Sequence, residues 1–369
     1  MTFCAPCIFG LEGLCANELK FLGIKNVRAE NGRVLFDGDF ATLAKANINS
    51  RYAERILILL GEFEARTFEE LFQGVKEIHW EDFIGISDAF PVKGRCLNSK
   101  LISVPDCQKI IKKAVVSRLS QKYMLSWFEE TGAVHQIQFL MMNDRVSVML
   151  DTSGAGLHKR GYRAESNEAP IKETLAAAMA ELSGVRANHF VTDPMCGSGT
   201  ILIESAMKAM GIAPGLKRYF ACEKWGCIPE NIFEQERTLA NSKIRSDCNF
   251  HAEGFDIDKQ SLETAQKNAE LAGVADRITF SKRDIRDFRL ADGYQTVITN
   301  PPYGERLLDI KAAEELYSVM GEQFARQNGK RYTVITPDDD FEKIFGRKAD
   351  KRRKTYNGTL KCQIYMYFK

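Results

Sequence analysis

The stretch TNPPYGERL, Thr299 to Leu307, sets two prolines and an aromatic directly after the apolar pair Val297-Ile298. A proline pair removes two backbone N–H donors and fixes φ, so a strand arriving there must end at Asn300 and leave carbonyl oxygens and an amide side chain facing outward. Asn300, Pro301, Pro302 and Tyr303 thus read as a rigid set of acceptors beside an aromatic ring. A second constellation lies upstream in DPMCGSGT, which contains Asp193, Pro194, Cys196, Gly197, Ser198, Gly199 and Thr200. Its glycine turn leads into a helical pattern. The exposed N–H groups of a helix start favour a negative or polar ligand group, and glycines let that group approach the backbone closely.

Spacing separates this turn from a dinucleotide fingerprint. G-x-G-x-x-G would put its third glycine where Leu202 stands, and the acid expected about 20 residues further on is absent. A dehydrogenase is therefore disfavoured. Asp256, in GFDID at the carboxyl end of the next predicted strand, is placed to accept from two ribose hydroxyls, and Asp284, ending ITFSKRD, from an adenine amino group. Taken alone, an aspartate after a strand can equally cap a helix or turn. Four strand ends in order, bearing Asp193 with the glycine turn, Asp256, Asp284 and Asn300, favour a shared ligand.

The elements must bring these strand ends to one edge. NHFVTDP, HAEGFDID, RITFSKRD, YQTVITNPP and RYTVITP are apolar runs separated mostly by helical segments, which predicts an α/β, Rossmann-like domain with a mostly parallel sheet covered on both faces. The closing RKTYNGTLKCQIYMYF, with Asn357-Gly358 between two β-rich arms, predicts a terminal antiparallel hairpin. Residues 212–250 interrupt the alternation as an insertion. Upstream, helical spacing followed by strand alternation makes 1–56 a small α+β unit. A second such unit covers 57–152, with Asn143-Asp144 as a hairpin turn. The Gly-rich TSGAGLHKRGYR reads as part of a linker over 153–165, leaving 166–369 for the ligand-binding domain.

With 369 residues and 44% hydrophobic content, two or three domains are expected. The net charge of +2 is too mild to prove a polyanionic partner. The start lacks a basic n-region, and the apolar stretches, such as Ile56 to Leu60, are far short of the roughly 20 residues of a membrane span, so a cytoplasmic protein is expected. Ten cysteines then suggest reduced thiols. Cys4 and Cys7 form a lone C-x-x-C without a second pair, and no metal is expected.

In order, DPMCGSGT, GFDID, the Asp284 segment and TNPPYGERL resemble the motifs of class I S-adenosylmethionine-dependent methyltransferases that act on an exocyclic or amide nitrogen. More closely, GLHKRGYR, DPMCGSGTILIE, TNPPYGERL and YNGTLKC together resemble the bacterial THUMP-domain ribosomal RNA guanine-N2 methyltransferases of the large subunit. The resemblance covers nearly the whole chain and is strongest from Gly156 onward. It implies a ferredoxin-like region at 1–56, a THUMP RNA-binding domain at 57–152, and a methyltransferase domain at 166–369. It implies S-adenosyl-L-methionine as cofactor, S-adenosyl-L-homocysteine as product, and ribosomal RNA as partner. The donor would lie among Asp193, Pro194, Cys196, Gly197, Ser198, Gly199, Thr200, Asp256, Asp284 and Asn300. The target base would lie against Asn300, Pro301, Pro302 and Tyr303. Some members fuse a second methyltransferase domain; this chain carries one, so the second activity is expected to be missing.

Two basic patches would meet RNA phosphates. From Gly346 to Lys361 there are seven Lys or Arg against one Asp, including Lys351, Arg352, Arg353 and Lys354; Lys159, Arg160 and Arg163 form the other. Two further readings stay open. NPPY serves adenine N6 in DNA or RNA as well as guanine N2. A noncatalytic RNA-binding protein with a decayed methyltransferase fold is the third reading, opposed by the intact Asp193, Gly197, Gly199, Asp256, Asn300 and Tyr303.

Overall fold

The computed structural model describes residues 1–163, 171–303 and 310–368. Positions 164–165 of the expected linker, the first residues after 166, and Gly304–Leu307 of the proline motif lie outside the described residues.

The first half forms one sheet. Its elements are β1 (Thr2–Pro6), α1 (Glu12–Phe21), β2 (Lys25–Glu30), β3 (Arg33–Asp37), α2 (Phe40–Asn49), β4 (Leu57–Glu64), α3 (Phe68–Lys76), β5 (Val92–Leu97), α4 (Val104–Tyr123), β6 (Ile137–Met142) and β7 (Arg145–Asp151). The strand order is β2-β3-β1-β4-β7-β6-β5. Strand β4 pairs antiparallel with β1 on one side and β7 on the other, so the two expected α+β units share a continuous hydrogen-bonded ladder. Asn143 and Asp144 turn β6 into β7 with φ of 54° and 65°, the positive values a two-residue hairpin demands and these short polar side chains tolerate. A capping box between Thr67 and Glu70 starts α3, and Ser103 caps α4.

The second half contains α5 (Glu173–Leu182), β8 (Phe190–Asp193), α6 (Thr200–Met210), α7 (Ile232–Asn241), β9 (His251–Asp256), α8 (Lys259–Ala272), β10 (Ile278–Lys282), β11 (Gln295–Thr299), α9 (Ile310–Gln323), β12 (Lys330–Thr336), α10 (Phe341–Ile344), β13 (Lys351–Asn357) and β14 (Leu360–Tyr367). Its sheet runs β10-β9-β8-β11-β12-β14-β13, parallel through β12 and antiparallel for the last two strands. Strand order reverses between β8 and β11, the place where an open α/β sheet parts its loops and leaves a crevice at the carboxyl ends. The final hairpin turns one residue later than expected. Asn357 pairs with Leu360, and Gly358, at φ 63°, and Thr359 make the turn.

One expectation is corrected by packing. The segment after Asp151 is not a solvated linker: Ser153, Leu157, Arg160 and Tyr162 are buried. A glycine-rich chain can turn its carbonyls toward one cation, and Arg218 takes those of Gly156 (2.8 Å), Lys159 (3.0 Å) and Ala155 (2.5 Å). Arg218 belongs to the 212–250 insertion, which fastens the two halves together. Trp225 stacks on His135 at 4.3 Å between ring centroids and donates to Val134 O, while Asn49 of α2 donates to Glu236 of α7 at 2.7 Å. No described helix is long and apolar enough to cross a membrane.

Candidate active site

Strand register brings the predicted residues to one edge. Asp193 of β8 pairs with Gly254 of β9, two residues before Asp256, and Asp256 pairs with Lys282 of β10, two before Asp284. On the other side Val297 pairs with Thr192, which sets Asn300 just beyond the level of Asp193. The glycine turn is tied to its neighbours from several directions. Gly197 N–H donates to Asp256 Oδ2 at 2.8 Å, Cys196 N–H donates to Phe255 O at 2.8 Å, and Asn268 of α8 donates to Ser198 O at 3.1 Å. Gly199 sits at φ +77°, and a β-carbon there would lie 3.0 Å from Ala265 and 3.1 Å from Phe280, so the close helix approach requires glycine. Gly197, at φ +49°, has open space where its β-carbon would project.

The charges differ across the edge. Pro194 is buried, and burial pushes the Asp193 carboxyl up to about 7 against the opposing hydrogen bond from the Met195 N–H at 3.2 Å. Burial also holds the Cys196 thiol well above its ordinary value, so it is a neutral packing group rather than a nucleophile. Asp256 accepts from Gly197 and Asp258 N–H groups. Beside it Ile257 is 63% exposed, an apolar surface for a flat heterocycle next to an acceptor for hydroxyls. Asp284 caps the short 3-10 turn after β10, accepting from Arg286 N–H at 2.9 Å, and pairs with the Arg286 guanidinium at 3.2 Å. The ordinary capping role is thus realised there.

At the end of β11, the oxygen Asn300 Oδ1 is buried and finds no donor among the described residues. Pro301 is buried and Pro302 half-buried. Tyr303 is half-buried against the core, and its hydroxyl accepts from Asn357 Nδ2 at 2.8 Å. Burial raises its phenol well above the ordinary value. Its orientation is therefore set by the β13–β14 hairpin, a connection that the sequence spacing does not show.

The basic residues divide. Lys159 is exposed, but Arg160 is only 3% exposed, with its guanidinium held by Glu204 (3.3 Å), Leu157 O and Arg51 O. Arg163 lies 3.5 Å from Glu173 and donates to Thr200 Oγ1 at 2.8 Å. Arg353 donates to Gly10 O at 2.8 Å. Arg160 is committed internally, so it holds the fold and is not the phosphate contact expected of it, whereas Arg163 and Arg353 are half-buried and each also ties down an internal partner. Lys351, Arg352 and Lys354 face solvent on β13, with Arg352 3.5 Å from Glu342. Asn268, Ile257 and Asn357 were not among the expected site residues, and Arg163, expected at RNA phosphates, instead reaches the glycine turn through Thr200. An exposed isoleucine after Asp256 is the only one of the three unexpected residues with a local sequence signal; the others act on partners distant in the chain.

The donor set suits S-adenosylmethionine, whose sulfonium and ammonium charges favour acids and whose ribose needs acceptors. Residues 160–366 match the RMKL-like methyltransferase domain, residues 2–57 the RlmL ferredoxin-like domain, and residues 65–151 the THUMP domain. The Bacillus subtilis protein YpsC, provisionally named an RNA methyltransferase, is 40% identical over 369 residues, spanning 100% of this chain and 96% of that one. Ribosomal RNA large subunit methyltransferase K/L of Psychromonas ingrahamii is 34% identical over 100% of this chain, which spans 50% of its length. Among solved structures, SMU.472, provisionally a methyltransferase and bound to S-adenosylhomocysteine, superposes with a TM-score of 0.93 at 42% identity, covering 100% and 97% of the two chains. A Listeria monocytogenes protein, designated by prediction an N6-adenine-specific DNA methylase, superposes with the same score at 41% identity over 100% and 96%.

Proposed function

The chain belongs to the RMKL-like methyltransferases, carries a THUMP domain and uses S-adenosylmethionine, and from that premise we propose that it methylates the exocyclic N2 amine of a guanine in large-subunit ribosomal RNA. The observation that carries methylation of an exocyclic amine is the buried Asn300 Oδ1 at the end of β11, which finds no donor among the described residues; the choice of guanine N2 follows the family resemblance of the motifs. An exocyclic amine has two hydrogens and a lone pair delocalised into its ring. Asn300 Oδ1 accepts one hydrogen and the Pro301 carbonyl the other, which turns the nitrogen lone pair toward the methyl group. The prolines keep both oxygens from following the base. Tyr303, oriented by Asn357, offers a ring face to a base that has left its stack, which offsets part of the few kcal/mol of unstacking.

S-adenosylmethionine, when bound, supplies the electrophilic methyl group. Asp256 accepts the ribose hydroxyls, Ile257 lies against the adenine, and the loop from Asp193 to Thr200 receives the amino-acid end. No side chain need remove a proton before attack, since the amine gives up its hydrogen after it becomes cationic. Ribosomal RNA is favoured over DNA by the THUMP match and by the name of the K/L relative. The designation of the Listeria protein supports adenine N6 as the second reading. Incubation with labelled donor and unmodified ribosomal RNA, followed by digestion to nucleosides, separates the two. N2-methylguanosine is expected, and label in N6-methyladenosine would replace the leading reading with the second.

A further inference from the structure

Phe9 and Tyr356 come from opposite ends of the chain and meet at the surface. Phe9 lies in the loop after β1 and Tyr356 near the end of β13. Their rings stand edge to face, 6.2 Å between centroids at 77°, yet they remain 50% and 40% exposed. The junction is built in the backbone beneath them. Arg353 donates to Gly10 O, and Gly10 holds φ +86°, where a β-carbon would lie 2.1 Å from Lys354 O. Only glycine admits so close an approach, so the two rings are held side by side by their main chains.

The surroundings are cationic. Arg352 and Lys354 share the face of Tyr356 on β13, Lys361 of β14 stands opposite it, and all three face solvent. The next residue, Asn357, points to the other face and donates to the hydroxyl of Tyr303, so one end of the hairpin carries both this surface and the tyrosine of the acceptor motif. Aromatic faces set among cations are what a single nucleic-acid strand uses: bases stack on the rings and phosphates meet the charges.

We propose that the Phe9–Tyr356 pair is a stacking platform for an unpaired nucleotide of the RNA substrate, at the hairpin end that also holds Tyr303, with Arg352, Lys354 and Lys361 meeting the adjoining phosphates. The proposal rests on RNA being the substrate but not on which atom receives the methyl group. Phe9→Ala and Tyr356→Ala test it through binding of a short oligo-uridine strand and of a duplex RNA of the same length, with Tyr356→Phe as the conservative control. Each alanine variant is expected to lose about tenfold in single-strand affinity, within the range of one base–aromatic stack. Duplex affinity and S-adenosylmethionine affinity should stay unchanged, and Tyr356→Phe should bind like the parent. Unaltered single-strand binding in both alanine variants overturns the platform, as does an equal loss on the duplex. A wrong assignment of the methylated atom would appear only in the product nucleoside, and so is read separately.

Discussion

An unpaired buried oxygen costs a folded chain about 1–3 kcal/mol, and Asn300 Oδ1 carries that cost at the mouth of the crevice. Replacing it should leave donor affinity intact while removing the grip on the amine. Asn300→Ala is therefore expected to lower methyl transfer by about a hundredfold or more, the scale of one well-placed polar group in a transition state, with donor binding unchanged in calorimetry. Asp256→Ala should do the reverse, weakening donor binding by about tenfold or more as charge-assisted hydrogen bonds are lost, with a further loosening of the loop it holds through Gly197. Asp193 adds a pH dependence. Its carboxyl lies raised from the ordinary 3.8 to about 7 by burial. Between those values the folded protein keeps a proton that the unfolded chain has lost, so rising pH lowers the stability of the donor-free form across that window. A cationic donor favours the ionised carboxylate. Its affinity should accordingly rise as pH approaches about 7 and level off above it, with proton release on binding that calorimetry in buffers of different ionisation enthalpy would detect.

At the level of elements, the strand ends were legible because they are written locally. Apolar runs cut off by Asp-Pro, by Asp256 and by Asn-Pro-Pro predict where β8, β9 and β11 stop, and the structure ends them at Asp193, Asp256 and Thr299. Arg160 was misread for the opposite reason. Charge spacing in GLHKRGYR says nothing of Glu204, 44 residues downstream on α6, which takes Arg160 into the interior. The turn of the last hairpin was missed by one residue, and the miss matters, because a paired Asn357 can reach Tyr303. The α6 start gives the sharpest element-scale test. Gly199→Ala must place a side chain at φ +77° against Ala265 and Phe280, a strain of about 1–3 kcal/mol. It should lower the thermal midpoint and weaken donor binding together, both visible in one thermal-shift titration with S-adenosylmethionine.

Across the whole molecule, the insertion was legible as an interruption but not as a clasp, since its partners are scattered over both halves. Trp225 is 2% exposed and lies on His135, and Arg218 draws in the carbonyls of the segment that follows β7. Trp225→Ala should cost about 3–5 kcal/mol where it packs. Proteolysis of this variant is expected to separate the two halves more readily than that of the parent, with donor affinity largely kept. The continuous ladder through β1 and β4 has a consequence for geometry. With its front half built on one sheet and clasped to the back, the chain is expected to keep a set distance between its THUMP domain and Asn300, so that RNAs whose methylation point stands nearer or farther would be methylated poorly however well they bind.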